Sequence, residues 1–388
     1  MSENVVRAAT PAIPPTVTEP EAVETRVYVA SPWQLMWWRF RKHRLAVVSS
    51  VVVILFYLVA VFCEVIAPFD PDHIDGLHKY VPPQPISFVD QDGNFAFRPG
   101  VYGLTAHRDP STLLLTYTPD TSQWYPIHFF TEGPEYKLWG LIDTNVHLVE
   151  LGPDASDQPF FLLGTDRLGR DMFSRIVYGA RISLSIGLVG VTLSLLFGII
   201  LGGVSGLYSG TVDTVIQRVI EFIRSMPTIP LWLALAAAMP PKWPPQYVYF
   251  GITIILSLIG WTSLARVVRG RFLSLREEDF VLAARFAGSS EWRIIWRHMV
   301  PSFLSHIIAT ITLAIPGMIL SETALSFLGL GLRPPVVSWG VLLQDAQNVQ
   351  TVALYPWLLY PGLFVVVIIL AFNFMGDGLR DAADPYGR

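Results

Sequence analysis

The sequence predicts an all-α polytopic membrane protein with six transmembrane helices, a short charged helix on the cytoplasmic side and a long extracytoplasmic insertion after the first helix. Three observations lead there. The 388-residue chain is 52% hydrophobic and only 15% charged, and its apolar residues gather into separate runs, the composition of a chain that crosses a bilayer repeatedly. Basic residues cluster at the ends of some runs and are scarce beyond others. One connector, residues 68–165, is far longer than a turn needs to be.

Residues 1–31 are rich in Pro, Glu, Thr and Val and lack the apolar core of a signal peptide, so they are expected to form a disordered cytoplasmic tail. Ser31 and Pro32 then offer an N-cap and a first helical position. The following Trp33, Leu35, Met36, Trp37, Trp38 and Phe40, beside Arg39, Arg41, Lys42 and Arg44, suit a short helix at the membrane interface. Residues 45–67 form the first span, with a single acid, Glu64, near one end. Crossing a core of ~30 Å takes roughly 20 apolar residues. This run supplies them. Segment 32–67 is therefore an interfacial helix plus the first transmembrane helix.

The insertion over 68–165 is rich in Pro, Asp, Gly and aromatics, with alternating pieces at 94–97 and 113–118, and reads as a small β or irregular lid. Its histidines, His73, His78, His107, His128 and His147, lack metal-ligand spacing and are expected to be surface residues. Residues 166–388 form the core with five more spans. These fall near 182–208, a run ending at 230–239, 247–268, 303–328 and 353–375. The third is short and must borrow from 215–223, where Arg218, Glu221 and Arg224 can pair at i, i+3 spacing. Prolines 227, 230, 316 and 361 are placed to kink or break helices, and Gly198, Gly202, Gly203 and Gly206 mark a face suited to close helix packing. Gly164, Thr165, Asp166, Gly169, Arg170 and Asp171 are expected to cap a short surface helix carrying Met172, Phe173, Ile176 and Val177. Glu322 lies inside an apolar run, where an acid is either a functional group or a structural hydrogen-bond acceptor.

Orientation follows from the retention of basic loops in the cytoplasm. Arg39 to Arg44 place the N-terminus inside, and six crossings return the C-terminus there. The loop after the fourth span also falls inside, with Arg266, Arg269, Arg271, Arg276, Arg285, Arg293 and Arg297. The insertion falls outside, where acids outnumber Lys79, Arg98, Arg108 and Lys137. The net charge of −4 conceals this asymmetry and gives no reason to expect a nucleic-acid partner. With Cys63 alone, neither an intramolecular disulfide nor a cysteine metal site can form.

The segment Phe280-Val-Leu-Ala-Ala-Arg-Phe-Ala-Gly-Ser-Ser-Glu-Trp-Arg-Ile-Ile-Trp-Arg-His-Met-Val-Pro301 is charged and helix-compatible, and it lies between long apolar runs. On a helix Ala283, Ala284, Ala287 and Gly288 share a face nearly free of bulk, with Arg285, Arg293 and Arg297 around it. It resembles the EAA loop of bacterial ATP-binding-cassette importer permeases, with Leu282 where the family has Glu. That resemblance implies a coupling helix inserted into an ATPase subunit, with Ala283, Ala284, Arg285, Ala287 and Gly288 as the contact.

An ordered series of further motifs resembles the "C" subunit of the dipeptide and oligopeptide permeases. It comprises Leu163-Gly-Thr-Asp-Arg-Leu-Gly-Arg-Asp-Met-Phe-Ser-Arg-Ile-Val-Tyr-Gly-Ala-Arg-Ile-Ser-Leu184, Gly206-Leu-Tyr-Ser-Gly-Thr-Val-Asp213, Arg266-Val-Val-Arg-Gly270, Glu322-Thr-Ala-Leu-Ser-Phe-Leu-Gly-Leu-Gly-Leu-Arg-Pro-Pro335, Ser338-Trp-Gly340 and Asn373-Phe-Met-Gly-Asp-Gly-Leu-Arg-Asp-Ala-Ala-Asp-Pro385. The insertion over about 70–160 departs from compact members. The resemblance implies a multi-pass subunit of the bacterial inner membrane that is not itself an enzyme. Its implied partners are a homologous permease, two ABC ATPase subunits, an extracytoplasmic solute-binding protein and the lipid bilayer. Peptides are the implied cargo, with oligosaccharides, opines and nickel chelates as alternatives within the class.

The chain has no phosphate-binding Gly-x-x-x-x-Gly-Lys-Ser/Thr loop and no hydrolase or zinc-protease motif, so no cofactor or metal is expected. An intramembrane enzyme would need a partner for Glu322, and a sensor or scaffold would place its function in the insertion. The sequence leaves the residues of the substrate pathway open.

Overall fold

The computed structural model describes residues 32–383 apart from 109, 112–114, 153–154, 156–157 and 241. The expected tail and the Ser31 cap lie outside these. Helix α1 (Pro32–Lys42) leaves Trp33, Trp37 and Trp38 exposed while Phe40 packs on Ala46 and Ala382. Exposed tryptophans beside a basic end are what an interfacial helix requires. Helix α2 (Arg44–Val61) presents Val48, Val51, Leu55 and Leu58 outward at helical spacing. It breaks at Phe62 and resumes as the short α3 (Cys63–Ile66). The break coincides with Arg181, which takes the carbonyls of Ala60 and Val61 at 2.9 Å each and grips both Glu64 oxygens at 2.6 and 2.5 Å. One guanidinium thus satisfies the open carbonyls of the helix end and its only nearby acid.

The insertion is a four-stranded antiparallel meander, β1 (Ile86–Val89), β2 (Phe95–Arg108), β3 (Leu115–Leu138) and β4 (Ile142–Leu151), in that spatial order. The first half of β3 pairs with β2, as at Val101↔Tyr125, and its second half with β4, as at Ile127↔Leu151. Val101, Ile127, Leu151 and Phe160 form its apolar centre. Gln84 staples it together, accepting from the Phe161 N–H and donating to the carbonyls of Tyr102 and Pro159. Trp139, at the β3–β4 turn, donates to the Val61 carbonyl at 2.8 Å. One expectation is corrected. His147 is buried, with its ring nitrogens 3.0 Å from the Ala67 carbonyl and 2.9 Å from that of Pro134, so it ties the sheet to the end of the first span.

Helix α4 (Met172–Tyr208) corrects another expectation, because the short surface helix is no separate element. Asp171 caps the start of one continuous 37-residue helix, accepting from the Ser174 N–H at 2.7 Å. The charges within 172–181 are partnered: Arg175 by the Pro71 carbonyl and Asp166, Arg181 by Glu64. The third crossing is a bent pair, α5 (Gly210–Ser225) and α6 (Thr228–Ala237), with 88° between them at Met226–Pro227. Arg218 pairs with Glu221 at 2.7 Å as expected, whereas Arg224 turns to the Ser263 hydroxyl.

Helix α7 (Pro245–Leu275) runs past the expected end of its span, so Arg266, Arg269 and Arg271 ride on its last turns rather than in a loop. It lies against α4 at the glycine face. A Cβ on Gly202 would stand 2.5 Å from the Ala265 carbonyl oxygen, and one on Gly206 2.9 Å from that of Arg269. Helices α8 (Asp279–Phe286), α9 (Leu304–Phe327, with Pro316 inside), α10 (Trp339–Leu343), α11 (Val349–Leu354) and α12 (Tyr360–Ala383) complete the chain. Among the described residues five helices are long and apolar enough to cross a membrane, or six when the bent pair counts as one span.

Candidate functional site

The loop between α7 and α9 begins where Arg276 hydrogen-bonds Ser209 at the end of α4. Helix α8 follows, and its amphipathic pattern decides which residues face out. Val281 and Ala284 are buried against a cluster that includes Ile294, Ile295 and Met299. Ala283, Arg285, Ala287 and Gly288 are exposed, and Phe286 is 90% exposed. The small residues therefore do not share one open face, because the helix ends at Phe286 and Ala284 points inward.

The end of α8 has a specific geometry. Gly288 has φ +76, its N–H reaches the Arg285 carbonyl, and the Ser289 N–H reaches that of Ala284. This pair of bonds with a left-handed glycine is the Schellman arrangement. Glycine is required here by backbone conformation, since a Cβ at this position would meet no neighbour. Ser290 then caps the next turn through the Arg293 N–H, and a π-helical segment, Ile294–Met299, leads toward α9. Arg285 lies 3.7 Å from Glu291, while Trp292, Arg293, Trp296 and Arg297 are exposed. The result is a rigidly terminated knob of aromatic and basic side chains.

A second centre is buried. Glu322 on α9 is fully inaccessible and accepts hydrogen bonds from Ser326 at 2.8 Å, Ser338 at 2.8 Å and Ser183 at 3.2 Å. Ser338 in turn caps α10 through the Val341 N–H, and Ser183 accepts from the Trp339 N–H. Trp339 donates its indole N–H to the Ile176 carbonyl. Residues of α4, of α9 and from the start of α10 thus converge on one carboxylate. Of the two readings open for Glu322, its surroundings favour a structural acceptor.

A similar convergence joins α5 to α7, where Asp213 and Arg269 form a two-pronged pair at 2.6 and 2.5 Å, with Ser205 also on Asp213. Ahead of α4, Asp166 holds Arg170 at 2.7 Å. Burial pushes the neighbouring Asp171 carboxyl up to about 6, and one of its oxygens has no partner. The 213–269 and 64–181 pairs escaped sequence reasoning. The one available signal was for the second pair, where Glu64 is the single acid of the first apolar run. Among the described residues no His, Cys, Asp and Glu group is arranged to hold a metal.

Spanning helices tied together by buried polar bonds, with an exposed basic knob between two of them, define a membrane permease. A family model for the binding-protein-dependent transport system inner membrane component matches residues 194–386, and one for the N-terminal TM domain of oligopeptide transport permease C matches 31–83. The chain is 38% identical over 254 residues to the oligopeptide transport system permease protein OppC of Bacillus subtilis, covering 65% of this chain and 79% of that one. To the Escherichia coli K12 OppC it is 39% identical over 266 residues, covering 67% and 83%. To the dipeptide transport system permease protein DppC of Bacillus subtilis it is 38% identical, covering 60% and 70%. The chain belongs to the OppC/DppC-type permeases of binding-protein-dependent ABC transport systems. It is accordingly a multi-pass, non-catalytic subunit of the inner membrane that works with partner subunits.

Proposed function

We propose that this permease imports peptides, pairing with a homologous permease to line one pathway, driven by two ABC ATPase subunits and fed by an extracytoplasmic solute-binding protein. The observation that carries the reading is the knob between α7 and α9, where Phe286 stands 90% exposed beside Arg285, Ala287 and Gly288. A bulky apolar side chain so exposed on a capped helix end has the form of a plug for a groove in another protein. Ala283, Arg285, Ala287 and Gly288 form the contact around it, and Ala284 anchors the helix from within. Closure of the ATPase pair pushes on this knob. The push passes into α7 and α9, rocking the pathway between inward- and outward-facing states.

The basic ends of α1, α7 and the knob face the cytoplasm, and the sheet of 68–165 stands outside. There it shapes the outer mouth where the binding protein docks. Cargo identity follows the relatives, whose names specify oligopeptides and dipeptides. The test is uptake by the whole complex in liposomes, offered labelled peptides, oligosaccharides, opines and nickel chelates in turn. Peptide uptake that needs both ATP and the binding protein is expected. Uptake confined to one of the other solutes would overturn the peptide assignment and leave the permease intact.

A further inference from the structure

A cavity of about 470 Å³ opens among the middle turns of α4, α7 and α9 and the bent pair, lined by Ser194, Arg224, Thr228, Gly260, Ser263 and Ser321 among others. Its depth follows from those residues. Ser194, Ser263 and Ser321 all lie well inside helices apolar enough to span the bilayer. Helix α5 climbs along α7 to reach it: Asp213 meets Arg269 near one end of α7, Ile220 packs on Trp261 and Ala265, and Arg224 reaches Ser263. Arg224, exposed on α5, therefore brings its charge to the wall of this cavity.

Two arginines on the adjoining spans have carboxylates. Arg181 holds Glu64 and Arg269 holds Asp213, each through two hydrogen bonds. The Arg224 guanidinium has the Ser263 hydroxyl at 2.8 Å, and among the described residues no carboxylate lies within ion-pair distance. Glu221, one turn away, is taken by Arg218. A cation without a carboxylate, at the wall of a cavity that reaches into the spans, marks a functional position. The same cavity receives the first turn of α6, which begins at Thr228 after Pro227 with no side-chain cap. A broken span thus brings a guanidinium and the start of a helix to one space, an arrangement suited to an anion.

We propose that Arg224 takes the carboxylate of the transported solute in transit, the C-terminal carboxylate in the case of a peptide. This rests on the peptide-importer reading above. The planar guanidinium matches a carboxylate in two parallel hydrogen bonds and retains its bond to Ser263. The cavity's serines and glycines leave room for varied side chains beside that fixed point, so the contact recognises the shared end of peptides of different sequence.

The test uses the whole transporter reconstituted with its binding protein, carrying Arg224→Ala or Arg224→Lys. Uptake is read for a peptide with a free C-terminus and for its C-terminal amide, alongside binding-protein-stimulated ATP hydrolysis and recovery of the assembled complex. Arg224→Ala should lower uptake of the free acid by roughly tenfold or more, the effect of one lost charge-assisted contact. It should also shrink the advantage of acid over amide, leave ATP hydrolysis near wild type, and be partly rescued by Arg224→Lys. Wild-type uptake and wild-type discrimination in Arg224→Ala would overturn the proposal. So would a parallel loss of uptake, hydrolysis and assembly, which would make Arg224 an ion-pair partner of the neighbouring permease. Failure of the wild-type complex to import any peptide would instead sink the peptide assignment, and it is seen before any variant is made.

Discussion

Replacing Gly202 with Ala sets two opposing effects against each other, and the structure decides between them. In a helix interior alanine is favoured over glycine by about 1 kcal/mol. Against this, the new Cβ would lie 2.5 Å from the Ala265 carbonyl oxygen and 2.9 Å from the Ala265 Cα. Ordinary contact is ~3.5 Å or more, so α4 and α7 must part by about 1 Å along their closest seam. Both offending atoms are backbone and cannot rotate away. Overpacking of this kind costs about 1–3 kcal/mol, and neighbouring Gly198 and Gly206, held against Leu264 and Arg269, limit relief by sliding. The clash wins. Gly270→Ala on α7 is the matched control, because nothing lies within 4 Å of its new Cβ. Thermal unfolding of the purified complex should fall by several degrees for Gly202→Ala and hold or rise for Gly270→Ala. Equal or greater stability for Gly202→Ala would refute the close-packed seam.

Two further outcomes follow from buried carboxyls. Burial holds the Asp171 carboxyl up at about 6 against an ordinary 3.8, so its ionised form is the one the fold disfavours. The associated stability is complete below the unfolded value and is lost as pH rises through the folded one. Asp171→Asn keeps an oxygen for the Ser174 N–H without the charge. It should therefore exceed wild type near neutral pH, by on the order of 3 kcal/mol at most, and converge with it near pH 4; a gap that ignores pH would contradict this. Glu322→Ala strands the hydroxyls of Ser183, Ser326 and Ser338 and should cost on the order of 2–4 kcal/mol, with Glu322→Gln costing less because it keeps an acceptor. Equal losses measured by thermal unfolding and complex recovery would show that hydrogen bonding is not what Glu322 supplies.

The spanning helices were legible because bilayer crossing demands long apolar runs, and α2, α7, α9 and α12 lie where those runs do. The continuity of the helix begun at Met172 with the second span was hidden by Arg175 and Arg181, whose partners Asp166 and Glu64 are brought to them only by tertiary structure. Pro227 announced a break but carries no information on its 88° angle. The strands were masked by Pro99, Pro119, Pro126 and Pro134, which interrupt alternation while β2 and β3 continue through them. In the knob, helical spacing alone grouped Ala284 with Gly288. The early end of α8 and the demand of Val281 and Ala284 for burial separated them, and gave prominence to Phe286, which pattern reasoning passed over.

The most direct test of the central claim places a photo-crosslinking amino acid at Phe286 in the assembled transporter. The side chain is 90% exposed, so the probe reports what the knob touches. The account expects a crosslink to an ATPase subunit whose yield changes between the nucleotide-free and ATP-bound states. Adducts confined to lipid or to the binding protein, with assembly intact, would contradict it.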